Sequence, residues 1–438
     1  MLRRWVVAVL VLSLAPVAMS LSSTAGSSGI LGRYIVVLNN SANADAVAGK
    51  ATTLGATVDS LFGSINTLVV SLPLLRLGSL QRDPRVAFVA PDRPVRLLDN
   101  AAGTGATGGV PTGVMRIGAA PLAGVTGPAK KAAVAIVDTG IMPRPDLNVV
   151  GGYDCANDLL GDLLGGGGNG ATPADNNGHG THVAGIVAAR DTGQGVVGVS
   201  PGTPLYAVRV FSSFGSGSLS NVICGLNWVA ENAAKDNIKV INMSLGGEGS
   251  DDGHCGATDQ DAFHAAVCRV TAAGVTVVVA AGNDGGDVAK TVPASYDEAL
   301  AVTAMADFDG KPGGLFQGSS PCSTKGTDDT AASFSDWAVP ASPDANHVIA
   351  APGVCITSTW NDGKFKSISG TSMASPHVAG LVARCIDAGP CAGMPPAQIM
   401  AKLRADAAAR PADQGFLGDT HKPIDGKYYG NLADDLGY

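Results

Sequence analysis

The stretch Ala132-Ala-Val-Ala-Ile-Val-Asp-Thr-Gly140 contains a continuous apolar run that ends on a carboxylate. A run without alternation of polar and apolar residues is typical of a strand that is buried on both faces of a sheet. Between such runs, apolar residues at helical spacing in 222–230 indicate a helix. Buried strands that alternate with helices predict an α/β fold, with a doubly wound, mainly parallel sheet and helices on both faces. Similar apolar runs recur at residues 205–210, 238–245, 275–281 and 299–304.

The overall composition indicates a globular chain. Hydrophobic residues make up 45% and charged residues 15% of the 438 residues, with 59 glycines and a formal net charge of −8. Such values are not typical of a disordered protein, and the length favours two or three domains. Because no basic footprint is present, we expect no nucleic-acid partner.

The first twenty residues are typical of an export signal. Arg3 and Arg4 precede an apolar run from Trp5 to Val17, and Ala18-Met-Ser20 fits a cleavage site of small residues. The sequence therefore predicts a signal peptide over residues 1–20, with an alternative end at residue 25. A membrane anchor is the alternative, but the run is short for a bilayer and no stop-transfer pattern follows. We expect a secreted, extracellular monomer that has no membrane association after the signal is removed.

Eight cysteines occur in the chain, all of them from Cys155 onward. An even number in an exported chain favours disulfides over free thiols, although the count leaves many connectivities open. The chain has no C-x-x-C pair that would indicate a zinc or redox site. The pairing that we favour is Cys155–Cys224, Cys255–Cys268, Cys322–Cys355 and Cys385–Cys391. The last three of these bridges close short loops.

The amino-terminal part has the pattern of a separate small unit. Its predicted order is β-α-β-β-α-β, a two-layer α+β unit of ferredoxin-like type over residues 31–96. A segment rich in Gly, Ala and Thr follows and is predicted as a linker over 97–113, where proteolytic cutting concentrates. A main domain is expected over 114–409, and 410–438 is an extension without an interpretable motif. The strands are expected in 33–38, 57–72 and 86–90, and the helices in 45–54 and 74–83.

Three segments of the main domain carry side chains suited to covalent catalysis. Asp138 ends the first buried strand, His179 follows a turn-rich stretch and begins a helix, and Ser372 lies at a Gly-bounded turn before another helix. Alone, each residue is more often a cap, a turn residue or a packing residue. Together they supply a nucleophile, a base that takes its proton and a buried acid that orients the base.

The segments HGTHVAG (179–185) and GTSMASPHVAG (370–380) resemble the motifs of the subtilisin family, in which Asp, His and Ser follow in the same chain order. The resemblance covers roughly residues 117–388. It implies a serine endopeptidase that works through an acyl-enzyme, with Asp138 as acid, His179 as base and Ser372 as nucleophile. It also implies an oxyanion hole formed by the side chain of Asn283 and the backbone N–H of Ser372.

The same resemblance implies a cleft that binds polypeptide substrate as an added β-strand, with broad specificity. Glycines in the two pairing segments let the peptide backbone approach closely. Asp284 is expected to border the main specificity pocket and to favour basic or polar groups there. The implied substrate-binding residues are Gly215, Ser216, Gly217, Ser244, Leu245, Gly246, Gly247, Gly282 and Thr291.

The amino-terminal unit resembles the inhibitor-like prodomain of this family. A large parallel sheet assembles slowly from non-local pairings, so a folding aid would help. The resemblance implies that the prodomain assists folding, blocks the cleft as an intramolecular inhibitor and is removed by self-cleavage between Leu97 and Gly113. The protein is thus expected to be a zymogen.

No cofactor is required for the implied chemistry, but relatives often bind a structural calcium ion near the loop after the histidine helix. Here Asp146 is the matching carboxylate, and backbone carbonyls of the loop at 190–194 could add ligands. Thr192 stands where many relatives have an asparagine. A solvated loop without calcium is the alternative.

Two further histidines, His182 and His377, fall inside the motifs. No H-E-x-x-H signature accompanies them, so we expect packing or hydrogen bonding rather than metal binding.

Three other functions share features with this sequence. An α/β-hydrolase esterase needs its acid and base after the serine, where Asp419 and His421 lie without motif context. The intact catalytic positions argue against a non-catalytic binding module. A peptide ligase would use the same acyl-enzyme, so the sequence separates it poorly from a hydrolase.

Overall fold

The computed structural model describes residues 31–39, 44–98, 104–105, 109–119, 131–156, 173–193, 195–318, 320 and 322–438. The predicted signal peptide lies outside these residues. Within them, no helix is both long and apolar enough to cross a membrane.

The amino-terminal unit has the predicted β-α-β-β-α-β order. Its antiparallel sheet has the strand order β2-β3-β1-β4. One face of the sheet packs on its own two helices, around Val47, Leu68 and Leu80. The other face, with Ile35 and Val69, shares a hydrophobic core with the main domain. The elements are β1 (Leu31–Leu38), α1 (Ala44–Thr53), β2 (Thr57–Phe62), β3 (Thr67–Pro73), α2 (Leu77–Gln81) and β4 (Val86–Pro91).

The remaining strands form the main sheet and two smaller sheets. In chain order they are β5 (Pro94–Leu97), β6 (Thr104–Gly105), β7 (Ala133–Asp138), β8 (Val149–Asp154), β9 (Leu205–Arg209), β10 (Ser216–Ser218), β11 (Ile238–Met243), β12 (Leu245–Glu248), β13 (Thr276–Ala280), β14 (Thr291–Val292), β15 (Ala299–Ala306), β16 (Thr330–Ala331), β17 (Val348–Pro352), β18 (Ile356–Thr359) and β19 (Phe365–Ile368).

The main sheet runs β16-β15-β13-β11-β7-β9-β8, with β17 also paired to β15. All its pairings are parallel except that of β16 with β15. The five apolar runs of the sequence lie in β7, β9, β11, β13 and β15, so the predicted parallel α/β sheet is confirmed.

Helices cover both faces of this sheet, as the sequence predicts. Alternate residues of β7 explain the arrangement: Val134 and Ile136 enter one core, and Ala135 and Val137 enter the other. The first core contains α4 and α7, and the second contains α5 and α6. The helices of the main domain are α3 (Thr112–Arg116), α4 (His179–Ala188), α5 (Leu219–Asn232), α6 (Ala262–Ala272), α7 (Thr371–Ala388) and α8 (Pro396–Ala408).

Two segments are more ordered than the sequence indicates. In the predicted linker, β6 pairs with β19, and the Gly109 N–H donates to the Gly195 carbonyl at 2.6 Å. In the carboxyl-terminal extension, Ala433 donates to the Ala350 carbonyl of β17 at 2.8 Å, and Asp435 accepts a hydrogen bond from Arg384 at 2.7 Å. The extension is therefore part of the packed main domain.

The structure joins the cysteines in the four pairs that the sequence analysis favours. The bridge between Cys155 and Cys224 links the end of β8 to α5 across 69 residues, whereas the other three span 33 residues or fewer. No free cysteine occurs among the described residues.

Arg116 ties three parts of the chain together at the start of the main domain. Its buried guanidinium lies 3.1 Å from an oxygen of Asp307, after β15, and 2.8 Å from an oxygen of Asp329. It also donates to the carbonyls of Gln414 and Gly415 in the extension. The extension is thus held by charge-assisted hydrogen bonds as well as by packing.

We predict that Arg116→Ala lowers the free energy of unfolding by about 3–5 kcal/mol, because it leaves two buried carboxylates without their counter-charge. Chemical denaturation would measure this loss, in a background with Ser372→Ala to prevent self-digestion. Arg76→Ala, at an exposed position, serves as the control. An equal effect of the two changes would contradict the anchoring role.

Candidate active site

Asp138 and His179 meet at the carboxyl edge of the main sheet. Asp138 is the last residue of β7, and His179 is the first residue of α4. The Nδ1 atom of His179 lies 2.8 and 2.9 Å from the two carboxylate oxygens of Asp138, and both side chains are buried. A carboxylate at Nδ1 fixes the imidazole orientation and stabilises a positive charge on the ring.

A buried carboxylate that the sequence analysis missed shapes the turn before His179. Asp175 accepts hydrogen bonds from the backbone of Asn177 and Gly178, and from the hydroxyls of Thr139 and Thr181. Burial raises the pKa of Asp175, while these donors act in the opposite direction. The turn-rich stretch 175–178 is visible in the sequence, but the convergence of both strand and helix on one carboxylate is not.

Ser372 lies in the first turn of α7, and α7 packs against α4. Its hydroxyl donates to the carbonyl of Leu98 and lies 3.1 Å from the carbonyl of Ser244. The backbone N–H of Ser372 points at the same Leu98 carbonyl, at 3.3 Å. A helix amino terminus also favours negative charge at this position.

Asn283 follows β13 and is held through its oxygen. The backbone N–H and the hydroxyl of Thr371 both donate to Asn283 Oδ1 at 2.9 Å. The Nδ2 group of Asn283 is buried and has no hydrogen-bond partner in the described part of the chain. A preorganised N–H donor beside the Ser372 turn is what an oxyanion requires.

The loop after Asn283 is organised by Asp336, a second buried carboxylate that the sequence analysis missed. Asp336 accepts from the backbone of Asp284 and Gly286 and from the hydroxyl of Thr291. At Gly282, with φ of +122°, an added Cβ would lie 2.0 Å from an Asp336 oxygen. A glycine is therefore required at this turn.

The cleft is filled by a segment of the chain itself. Strand β5 pairs antiparallel with β10 on one side and β12 on the other. The register places Gly217 opposite Val95 and Gly246 opposite Arg96, and the Leu98 N–H donates to the Ser244 carbonyl at 3.3 Å. The two predicted pairing segments therefore do flank one extended peptide, which is residues 94–98.

Each side chain of the bound segment has a defined neighbour. A Cβ added at Gly246 would lie 2.9 Å from Leu98, and one added at Gly215 would lie 3.1 Å from Leu97. Val95 is buried in the same hydrophobic cluster as Leu219, Phe263 and Val292. The glycines thus make room for two leucine side chains, and the cluster accepts a branched aliphatic one.

The charged residue of the bound segment, Arg96, pairs with Asp284 at 2.5 Å. Both side chains are largely exposed, at 61% and 62%. Solvent therefore screens this pair, and its contribution to binding is small.

His182 and His377 have the packing and hydrogen-bonding roles that the sequence analysis expects. His182 Nε2 lies 2.9 Å from the Lys366 carbonyl, and His377 Nδ1 lies 2.8 Å from the Met373 carbonyl. Burial lowers the pKa of His182 to about 3 and that of His377 to about 4. Both rings are therefore neutral near physiological pH.

Asp146, the expected calcium ligand, is paired with a cationic side chain of the protein. Its two carboxylate oxygens each accept a hydrogen bond from the guanidinium of Arg144 at 2.9 Å. Arg144 also donates to the carbonyls of Trp360 and Lys364, at 3.0 and 3.2 Å. A fixed cation of the protein thus pairs with both carboxylate oxygens of Asp146 in this structure. The sequence resemblance could not show this, because Arg144 is not part of a recognised motif.

The comparisons with known proteins agree with this fold. The model of the Subtilase family matches residues 129–422. The M-protease of Shouchella clausii (strain KSM-K16) is 36% identical over 74% of this chain and 69% of its own length. Subtilisin E of Bacillus subtilis (strain 168) is 33% identical over 83% of this chain and 82% of its own length.

A solved structure, described as a cold adapted subtilisin-like serine proteinase, covers 75% of this chain and 98% of its own length. Its TM-score is 0.51 and its identity is 28%. The fold and the comparisons together define a subtilisin-like serine endopeptidase. The chain belongs to the Subtilase family, and the sequence-based assignment to that family is confirmed.

We predict that Arg144→Lys lowers the free energy of unfolding by about 1–3 kcal/mol, because a lysine cannot make the same paired hydrogen bonds to Asp146. Thermal and chemical unfolding in the Ser372→Ala background would measure the change. Arg190→Lys, on the exposed loop nearby, is the matched control. Unchanged stability of the Arg144 variant would show that the guanidinium does not hold this region.

Proposed function

We propose that this subtilase is secreted as a zymogen, hydrolyses polypeptides through Ser372, His179 and Asp138, and cuts its own precursor after Leu98. One observation carries the proposal: the Leu98 carbonyl accepts hydrogen bonds from both the hydroxyl and the backbone N–H of Ser372. These contacts support Leu98 as the residue whose carbonyl carbon Ser372 attacks. The bond Leu98–Asp99 lies within the predicted processing region.

The proposed reaction assigns one step to each of these groups. Ser372 Oγ attacks the Leu98 carbonyl carbon while His179 takes the hydroxyl proton, and Asp138 stabilises the imidazolium. The N–H of Ser372 and the Nδ2 group of Asn283 stabilise the oxyanion. His179 then gives its proton to the leaving amine of Asp99. Water hydrolyses the acyl-enzyme, with His179 again as base, and releases the new carboxylate of Leu98.

The amino-terminal unit would remain bound after cleavage and inhibit the enzyme. Its last residues keep their pairing with β10 and β12, which does not depend on the cleaved bond. Asp92 accepts hydrogen bonds from the backbone and hydroxyl of Ser220, at the start of α5, at 2.9 and 2.7 Å. Capping a helix start stabilises that helix by about 1 kcal/mol. The same contacts support a role as folding aid.

The bound segment also indicates the substrate class. Main-chain pairing on two sides is independent of side chains, which supports broad specificity. The neighbours of Leu98, Leu97 and Val95 favour apolar residues at the first, second and fourth positions before the cleaved bond. The pair between Arg96 and Asp284 favours a basic residue at the third position.

Removal of Ser372 or His179 is expected to abolish processing of the precursor. Expressed in an exporting host, the wild-type precursor is expected to lose its amino-terminal unit, while Ser372→Ala and His179→Ala stay at full length. Hydrolysis of a denatured protein should fall by about 10⁴-fold or more in both variants. Ser375→Ala, in the next turn of α7, should retain processing, because its hydroxyl contacts Asn242 and not the Leu98 carbonyl.

Product masses from this experiment separate the rival functions. Hydrolysis adds one water per cleaved bond to the summed mass of the two fragments, whereas a peptide ligase would give joined fragments. Full activity of Ser372→Ala would contradict the proposed nucleophile.

Asp284 is expected to give a charge preference at the third position before the cleaved bond. Among peptides of the form Val-x-Leu-Leu, arginine at x should be cleaved up to about fivefold faster than glutamate at low salt, and Asp284→Asn should remove the difference. Raising the salt should weaken the preference in the wild type. Asp362→Asn, which removes an exposed charge elsewhere, should keep it. A preference that survives in the Asp284 variant would rule out this contact as its source.

A further inference from the structure

A polar cluster outside the cleft has the arrangement of a metal site. His264, in the first turn of α6, has a fully buried side chain. Its Nδ1 atom faces oxygens of Asp251 and Asp252, from the loop after β12, at 3.5 and 3.4 Å. Its other nitrogen, Nε2, lies 2.8 Å from an oxygen of Glu298. None of these residues belongs to the catalytic site.

The Nδ1 atom of His264 makes no ordinary hydrogen bond with the two carboxylates that face it. Within the described chain this buried nitrogen has no hydrogen-bond partner, although two carboxylates face it. Charge-assisted N–H···O bonds are usually about 2.7–2.9 Å long, much shorter than these separations. Two ligands on one tetrahedral ion with bonds of about 2.0–2.1 Å lie about 3.3–3.4 Å apart. The observed separations therefore match ligands that share a small divalent cation.

The surroundings hold the three groups in place. A carboxylate that accepts from the second nitrogen of a histidine is the usual support of a metal-binding imidazole, and Glu298 has this position. Asp252 is fixed by backbone N–H groups, including those of His254 and Thr258. The ring of His264 stacks on Tyr296 with 4.1 Å between centroids. A site that is organised before the ion arrives binds it with less loss of conformational entropy.

We propose that Asp251, Asp252 and His264 bind one divalent transition-metal ion, with water completing the coordination. A donor set of one imidazole nitrogen and two carboxylate oxygens fits Zn²⁺. Cys255 and Cys268 lie beside the cluster, but their disulfide excludes them as thiolate ligands. The ion would tie the loop after β12 to α6, which also carries Phe263 of the hydrophobic cluster around Val95, and would take no part in peptide hydrolysis.

The test is a calorimetric titration of the metal-stripped, full-length protein with ZnCl₂, in the Ser372→Ala background to prevent self-digestion. We expect one equivalent of Zn²⁺ to bind. His264→Gln should weaken binding by more than about 100-fold, and Glu298→Gln by about 10–100-fold, as expected for a residue that orients the ligand. Asp309→Asn is the matched control, since it alters a second acidic cluster, formed with Asp307 and Asp328, and should bind Zn²⁺ normally.

Failure of the starting protein to bind Zn²⁺ would overturn the proposal, and this outcome does not depend on the folding of any variant. Equal binding by His264→Gln and the starting protein would also overturn it. X-ray absorption of the zinc complex should show nitrogen and oxygen ligands with one imidazole. A sulfur ligand or several imidazoles would assign the ion to another place.

Discussion

The antiparallel pairing of residues 94–97 between β10 and β12 is the interaction on which the rest of the site depends. Backbone hydrogen bonds fix the register of this segment without regard to its side chains. A shift by one residue would turn every side chain to the opposite face and would remove the Leu98 carbonyl from Ser372. The same pairing therefore sets the position of the Leu98 carbonyl, the neighbours of each side chain in the bound segment and the docking of the amino-terminal unit.

The main sheet supplies the other half of this geometry. Asp138 ends β7, Ser244 follows β11 and Asn283 follows β13, so all three lie at the carboxyl edge of neighbouring parallel strands. Ligand sites of open α/β sheets form at this edge. Buried carboxylates then hold the connecting loops: Asp175 organises the turn before His179, and Asp336 the loop after Asn283. The side chains of the proposed catalytic site are thus held by polar contacts that do not involve the bound segment 94–98.

Much of this architecture could be predicted from the sequence. Continuous apolar runs identified the parallel strands, because burial on both faces leaves little choice of residue. The register of Leu98 could not be predicted, since main-chain pairing leaves no side-chain signature in residues 94–98. Asp175 and Asp336 were missed because a carboxylate that binds backbone N–H groups looks in sequence like any turn residue. Arg144 was missed for a related reason, and its guanidinium pairs with both oxygens of Asp146, the residue on which the calcium expectation rests.

The intact masses of the two pieces formed early in processing test most directly the proposal that Leu98 carries the reacting carbonyl. The prediction is an amino-terminal piece that ends at Leu98 and a main domain that begins at Asp99. A first cut at any other bond, with Leu98 still attached to Asp99, would contradict the register on which the account rests.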